Sequence, residues 1–139
     1  MKILLAMDHS RFSEAGSQAI AMQVHPQGAE VLVVHVIEPS GFLEQDASLR
    51  ERTAQAQGFL TRAAQVLHSA GFNGVTTRVI EAEPRTGILE AAAQWHADLI
   101  VLGSHGRRGL QKLMLGSVAE SVARHATCSV LIVRIPATN

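Results

Sequence analysis

The residues best suited to chemistry lie in one glycine-spaced segment, which reads Gly103-Ser-His-Gly106-Arg-Arg-Gly109-Leu-Gln-Lys-Leu-Met-Leu-Gly116-Ser117. Glycines let main-chain N–H groups approach an anion because no Cβ stands in the way. Gly116 and Ser117 also open a segment of helical period, and the start of a helix attracts negative charge. The pattern therefore predicts a phosphate site. Three cations of the segment would add positive charge there: Arg107, Arg108 and Lys112.

Other interpretations of the same residues stay open. Ser117-Val-Ala-Glu120 matches a capping box, in which the serine and glutamate side chains satisfy main-chain donors. The box uses only some of the four N–H groups at a helix start, so capping and anion binding can coexist. The cations of the segment could equally form a solvated face.

Asp8, at the end of the first apolar run, is the second candidate. Its carboxylate could cap the following turn, accept a hydrogen bond from a ribose hydroxyl, or contact Mg²⁺. The seven histidines include no pair with metal-ligand spacing, so no zinc site is predicted. The sequence offers no readable triad or acid–base pair, and Cys128, the one cysteine, is expected to be a buried, inert thiol.

Several classes of protein are excluded. The sequence has neither the Gly-x-x-x-x-Gly-Lys-Ser/Thr of P-loop proteins nor a Gly-x-Gly-x-x-Gly after its first strand. A receiver domain would need an Asp after strand three, where this chain has Glu81. With 12 basic and 12 acidic residues the net charge is zero, so neither nucleic acid nor an anionic membrane is an expected partner.

The elements that must position these residues alternate between strands and helices along all 139 residues. The predicted strands cover residues 3–7, 31–37, 75–81, 99–102 and 130–135. The predicted helices cover residues 13–24, 47–70, about 87–95 and 117–126. Ser13 is the expected cap of the first helix, and Gly71 is the expected end of the second. Four residues should form the apolar face of the first helix: Ala15, Ala19, Ile20 and Met22.

This order predicts one α/β domain over residues 1–139, a doubly wound five-stranded parallel sheet with helices on both faces. In the usual strand order, 3-2-1-4-5, ligands bind beyond the carboxyl ends of the strands, where the order reverses between strands one and four. Asp8 and Gly103 should therefore be neighbours although they are far apart in sequence.

The segment Leu102-Gly-Ser-His-Gly106, followed after nine residues by Gly116-Ser117, resembles the Gly-x2-Gly-x9-Gly-Ser/Thr signature of the universal stress protein family. The similarity extends to Ile3-Leu-Leu-Ala-Met-Asp8, to Val34-His-Val36 and to the closing helix and strand. The main departure is His9, where the family more often has a small residue.

The full glycine signature is typical of the branch of that family that binds ATP. The resemblance implies that adenine and ribose contact Ala6, Met7, Asp8 and Val36. It implies that ribose and phosphates contact Gly103, Gly106, Gly116, Ser117 and Val118, and Leu102 and Arg107 complete the predicted set. Mg²⁺ is the expected companion of ATP, near Asp8. The resemblance also implies a homodimer through the last strand, with Val130, Leu131, Ile132 and Val133 at the contact.

The leading hypothesis is a cytoplasmic ATP-binding regulatory module that switches with nucleotide occupancy and docks an unidentified protein partner. Hydrolysis or autophosphorylation would be slow at most, because the sequence offers phosphate-binding groups and no evident base. The alternative is a structural or interaction dimer without nucleotide, which a pocket crowded by His9 would favour. A true hydrolase or nucleotidyl transferase on this fold is a third, weaker hypothesis.

Overall fold

The computed structural model describes residues 1–8, 11–39, 46–104 and 115–134, and for residues 11–13 and 46–48 it describes the backbone alone. The strands are β1 (Lys2–Ala6), β2 (Glu30–Ile37), β3 (Gly74–Glu81), β4 (Leu99–Gly103) and β5 (Ser129–Val133). The helices are α1 (Arg11–Gln23), α2 (Asp46–Ser69), α3 (Pro84–Trp95) and α4 (Ser117–His125).

The five strands form one parallel sheet in the order β3-β2-β1-β4-β5, which confirms the predicted topology. β1 lies in the middle, where Leu5 pairs with Val33 of β2 and with Val101 of β4. The strand order reverses between β1 and β4, because β2 and β3 follow on one side of β1 whereas β4 and β5 lie on its other side. The carboxyl ends of these two strands therefore border the crevice in which doubly wound proteins bind ligands.

Two apolar cores cover the sheet, one on each face. The first holds Ile3, Leu5 and Met7 of β1 and its continuation against α1 and α2, and the second holds Leu4 and Ala6 against α3 and α4. This alternation follows from the two-residue period of a strand. β2 is buried on both faces because it lies inside the sheet, which explains its unbroken apolar run.

Two details of the predicted first helix are wrong. α1 already begins at Arg11, so Ser13 lies inside the helix and is not its cap. Met22 is 86% exposed, whereas Ala19 and Ile20 are buried as expected. The reason is angular: Met22 follows Ile20 by two residues, roughly 200° around the helix axis, so it faces solvent.

Most other predicted boundaries are confirmed within a residue or two, but α3 begins at Pro84, ahead of its predicted start at about residue 87. Gly71 ends α2 with a φ of 98°, a left-handed conformation that glycine adopts without strain. β3 is an edge strand with mostly exposed side chains, and β5 forms the other edge. Cys128 lies just before β5 and is partly buried, less than predicted, and burial raises the pKa of its thiol.

Candidate nucleotide-binding site

Four of the predicted site residues converge on one face at the carboxyl end of the sheet. Ala6 ends β1, and Leu102 is the last residue but one of the neighbouring β4. Each lies one residue beyond the paired Leu5 and Val101, and both are buried in the second core. Val36 of β2 and Val118 of α4 are partly buried and pack against the same core. These side chains form an apolar wall beside the crevice.

Main-chain hydrogen bonds bring together the two ends of the glycine-spaced segment. The N–H of Ser104 donates to the carbonyl of Val133 at 2.9 Å, so the residue after β4 is bonded to the last residue of β5. The N–H of Gly116 then donates to the carbonyl of Ser104 at 2.8 Å. Gly103 and Gly116 therefore lie at the same corner of the sheet, and α4 starts there.

Ser117 and Glu120 do not form the capping box that the sequence left open. Gly116 is the N-cap of α4, Ser117 is the first helical residue, and no side chain in the described ranges caps this start. The carboxylate of Glu120 instead pairs with Arg124 at 3.1 Å. In an α-helix, the first N–H groups have no acceptor within the helix. The start of α4 thus presents its donors to the crevice corner without a side-chain cap.

Met7 and Asp8 follow directly after β1 and differ in burial. The Met7 side chain is buried in the first core, on the face opposite Ala6, so it cannot share the apolar wall. Its main chain is tied to β2: the N–H donates to the Val34 carbonyl at 2.9 Å, and the carbonyl lies 2.6 Å from Nδ1 of His35. Asp8 follows at the rim and is partly exposed.

The start of α3 supports the wall from the side. A Cβ built on Gly87 would lie 2.9 Å from Cγ1 of Val36, so only glycine lets the helix pack this closely without a shift. Glu83 caps the helix and accepts a hydrogen bond from the Thr86 N–H at 3.0 Å. The Arg85 guanidinium, at 2.8 Å, and then the Thr86 N–H lower the pKa of Glu83 from 4.5 to about 2.

The rest of the predicted site lies outside the described residues: Gly106, Arg107, Arg108, Lys112 and His9. Sequence reasoning missed the roles of Ser104, His35 and Glu83. A signal existed for Glu83, because Glu-Pro is a recognisable helix start with proline at the first helical position. A histidine within the apolar run of β2 signalled a packed polar group, but its acceptor lies 28 residues away in sequence.

Neither a cluster of three metal-binding side chains nor a membrane-spanning helix occurs among the described residues. In residues 1–8, 11–39, 46–104 and 115–134, no group of three or more His, Cys, Asp or Glu side chains is placed to hold a metal ion. Nucleotide-bound Mg²⁺ commonly uses only one or two carboxylates, since phosphates and water supply its other ligands, so the Mg²⁺ predicted near Asp8 would not need such a group. No helix within those ranges is long and apolar enough to span a membrane.

The strand order and the glycine-bordered corner define a doubly wound α/β protein with its candidate site at the switch point. The model of the universal stress protein family matches residues 1–134. The chain therefore belongs to the universal stress protein family.

Individual relatives agree with this assignment. Universal stress protein MJ0531 of Methanocaldococcus jannaschii is 34% identical over 97% of this chain and 82% of its own. The solved structure of the protein MJ0577 is 27% identical, covers 99% of this chain and 97% of its own, and superimposes with a TM-score of 0.86. A universal stress protein from Archaeoglobus fulgidus, solved in complex with dAMP, is 25% identical over 96% of this chain and 97% of its own, with a TM-score of 0.72.

Proposed function

We propose that this protein is an ATP-binding regulatory module whose nucleotide occupancy changes the surface seen by a partner protein. The observation that carries the proposal is the start of α4. Gly116 is bonded to Ser104 at the end of β4, and the helix begins there without a side-chain cap from the described residues. Such a helix start favours an anion through its N–H groups and its dipole. The dAMP-bound relative supports an adenine nucleotide as that anion.

The proposed contacts divide between base and phosphates. Ala6 and Val36 are proposed to contact adenine and ribose, with Asp8 at the sugar and with Mg²⁺ beside the phosphates. Met7 would contribute only main-chain atoms, because its side chain is buried on the other face. On the phosphate side, the proposed contacts are main-chain groups and the hydroxyl of Ser117. The proposed residues of the glycine-spaced segment and its borders are Leu102, Gly103, Gly106, Arg107, Gly116, Ser117 and Val118.

The proposed assembly is a homodimer through β5. This strand ends the sheet, and its apolar residues from Val130 to Val133 are each only partly buried. An apolar edge of this kind is prone to pair with another strand, and a second copy would cover it. The proposed role, in the cytoplasm, is switching rather than turnover, with at most slow hydrolysis or autophosphorylation.

Calorimetric titration with ATP and Mg²⁺ tests the proposal directly. The wild-type protein should bind, and Gly116→Val should bind more weakly because a branched side chain would crowd the N–H groups of α4. Hydrogen exchange should show slower exchange in residues 103–117 when ATP is present. No binding by the wild type at millimolar ATP would refute the nucleotide proposal and favour the structural or interaction dimer, whose mass light scattering would measure.

A further inference from the structure

His35 lies beside Val36 in β2, but its imidazole is on the opposite face of the sheet. The ring meets Phe59 of α2 edge-on, with centroids 4.9 Å apart and an interplanar angle of 83°. Its Nδ1 is 2.6 Å from the carbonyl oxygen of Met7. Because a carbonyl oxygen can only accept a hydrogen bond, Nδ1 must carry the proton and donate it. The imidazole therefore binds the main chain at the point where it leaves β1.

This hydrogen bond fixes the orientation of the peptide group between Met7 and Asp8. The Met7 N–H is already bonded to the Val34 carbonyl at 2.9 Å, so both main-chain polar atoms of Met7 are held by β2. The peptide bond is planar and trans, so its C=O and N–H point in opposite directions. With the carbonyl held by the imidazole of His35, the N–H of Asp8 points away from that ring.

We infer that His35 is a positioning residue for the nucleotide, acting through the Met7 carbonyl to orient Asp8 toward the ribose. The inference rests on the proposed function, because it assigns a purpose to Asp8 only if an adenine nucleotide binds. His35 does not itself touch the ligand in this arrangement, since its ring lies on the α2 face. Its contribution is to fix the main chain before the ligand arrives, which lowers the entropy lost on binding.

A pair of variants with the same shape separates this role from packing. Asparagine and leucine have nearly identical shapes, and both lose the ring contact with Phe59, but only asparagine places an N–H where Nδ1 stands. His35→Asn should keep close to wild-type ATP affinity. His35→Leu should bind ATP roughly 3- to 10-fold more weakly, the value of one hydrogen bond. Circular dichroism and thermal unfolding would establish that both variants fold.

Comparison of ATP with 2′,3′-dideoxy-ATP, whose sugar lacks both hydroxyls, provides a readout that general destabilisation would not change. The wild type and His35→Asn should prefer ATP, whereas His35→Leu should lose that preference because Asp8 is no longer held toward the ribose. Equal loss of affinity for both nucleotides in His35→Leu, or equal behaviour of the Asn and Leu variants, would overturn the inference.

Failure of the two proposals is distinguishable. A wild-type protein that does not bind ATP refutes the proposed function and this inference with it. A wild-type protein that binds ATP, with variants that bind equally well, refutes only the role of His35. Nitrogen NMR of the imidazole gives an independent check, since a ring without a proton on Nδ1 would contradict the hydrogen bond to Met7.

Discussion

The helices α3 and α4 pack beside each other on the same face of the sheet, yet they begin in opposite ways. α3 starts at Glu83, whose carboxylate accepts hydrogen bonds from the Thr86 N–H and hydroxyl within the helix's own first turn. α4 starts at Gly116, with no side-chain cap among the described residues. At α3, the chain's own carboxylate accepts from the first turn. At α4, the first N–H groups are the proposed donors to an anionic ligand.

Charge follows the same division. At α3 the negative carboxylate of Glu83 sits on the positive end of the helix dipole, and Arg85 balances it at 2.8 Å. At α4 the acidic residue of the first turn, Glu120, is paired with Arg124, one turn further along. The capped start of α3 packs beside Val36 of the wall. The uncapped start of α4 lies where the phosphates are proposed to bind. Changing either start tests this difference.

The largest expected effect comes from closing α4 with a carboxylate of its own. Gly116→Asp should cap the helix and stabilise the protein by a few tenths of a kcal/mol. It should also weaken ATP binding by at least about 10-fold, because the new charge stands where the phosphates are proposed to bind. Calorimetric titration at low ionic strength measures the affinity, and denaturant unfolding measures the stability.

Gly116→Asn is the matched control for charge. Asparagine caps a helix about as well as aspartate and has the same shape, but it is neutral. It should therefore reduce ATP affinity much less than Gly116→Asp, and the gap between the two variants should narrow as salt is added. Equal affinities in the two variants would show that the phosphates do not lie at this helix start.

Features of this site that local sequence determines could be predicted, whereas those that depend on contacts between distant residues could not. The sheet order and the strand ends follow from the alternation of apolar runs and helices, and Gly71 follows from local chemistry. The first helical residue of α4, Ser117, agrees with the prediction, but local sequence left open whether Ser117 caps the helix; the N-cap is Gly116, whose N–H bonds to Ser104 on the far side of the segment. The face on which Met7 lies follows from the two-residue period of a strand, but the bond from its carbonyl to His35, 28 residues away, has no local signal.

The second prediction concerns the contact between α3 and the wall. A Cβ at position 87 would meet the stiff, branched side chain of Val36 at 2.9 Å and Cβ of Ala82 at 3.2 Å. Gly87→Ala should therefore lower the free energy of unfolding by about 1 kcal/mol, the cost of overpacking less the gain in helix propensity. It should also weaken ATP binding, because Val36 must shift in the proposed base pocket.

Two variants make that prediction specific. Adding Val36→Ala to Gly87→Ala removes the clash, so the double variant should lose less stability than the sum of the two single changes. Gly58→Ala in α2 is the matched glycine, because nothing lies within 4 Å of its added Cβ. It should stabilise the protein by roughly 0.5 to 1 kcal/mol. If Gly87→Ala stabilises to the same extent, α3 does not constrain Val36.

The third prediction uses the titration of Glu83, whose pKa is lowered from 4.5 to about 2 in the folded protein. A carboxylate with a lowered folded pKa stabilises the protein above its unfolded pKa, and this contribution is lost as pH falls from 4.5 toward about 2. Since the side chain is 44% exposed, solvent screening limits the effect. Glu83→Gln should cost roughly 0.5 to 1 kcal/mol at neutral pH.

Denaturant unfolding of the wild type and Glu83→Gln across that pH range provides the measurement. Their difference in free energy should be constant at neutral pH and should shrink as the wild-type carboxylate becomes protonated. ATP affinity should not change, because the carboxylate acts on α3 and not on the open start of α4. A difference that stays constant down to about pH 2 would contradict the cap–ion pair account.

The smallest effect is expected at Glu120, the acidic residue in the first turn of α4. Its pair with Arg124 is exposed, so Glu120→Gln should lower stability by only about 0.3 kcal/mol, and salt should abolish the loss. Removal of a negative charge from the first turn of α4 should raise ATP affinity by no more than about 2-fold at low salt. The two carboxylates would then differ in kind: removing Glu83 changes stability without affecting ATP, whereas removing Glu120 slightly strengthens ATP binding. Weaker ATP binding by Glu120→Gln would mean that this carboxylate, and not the bare helix start, serves the nucleotide.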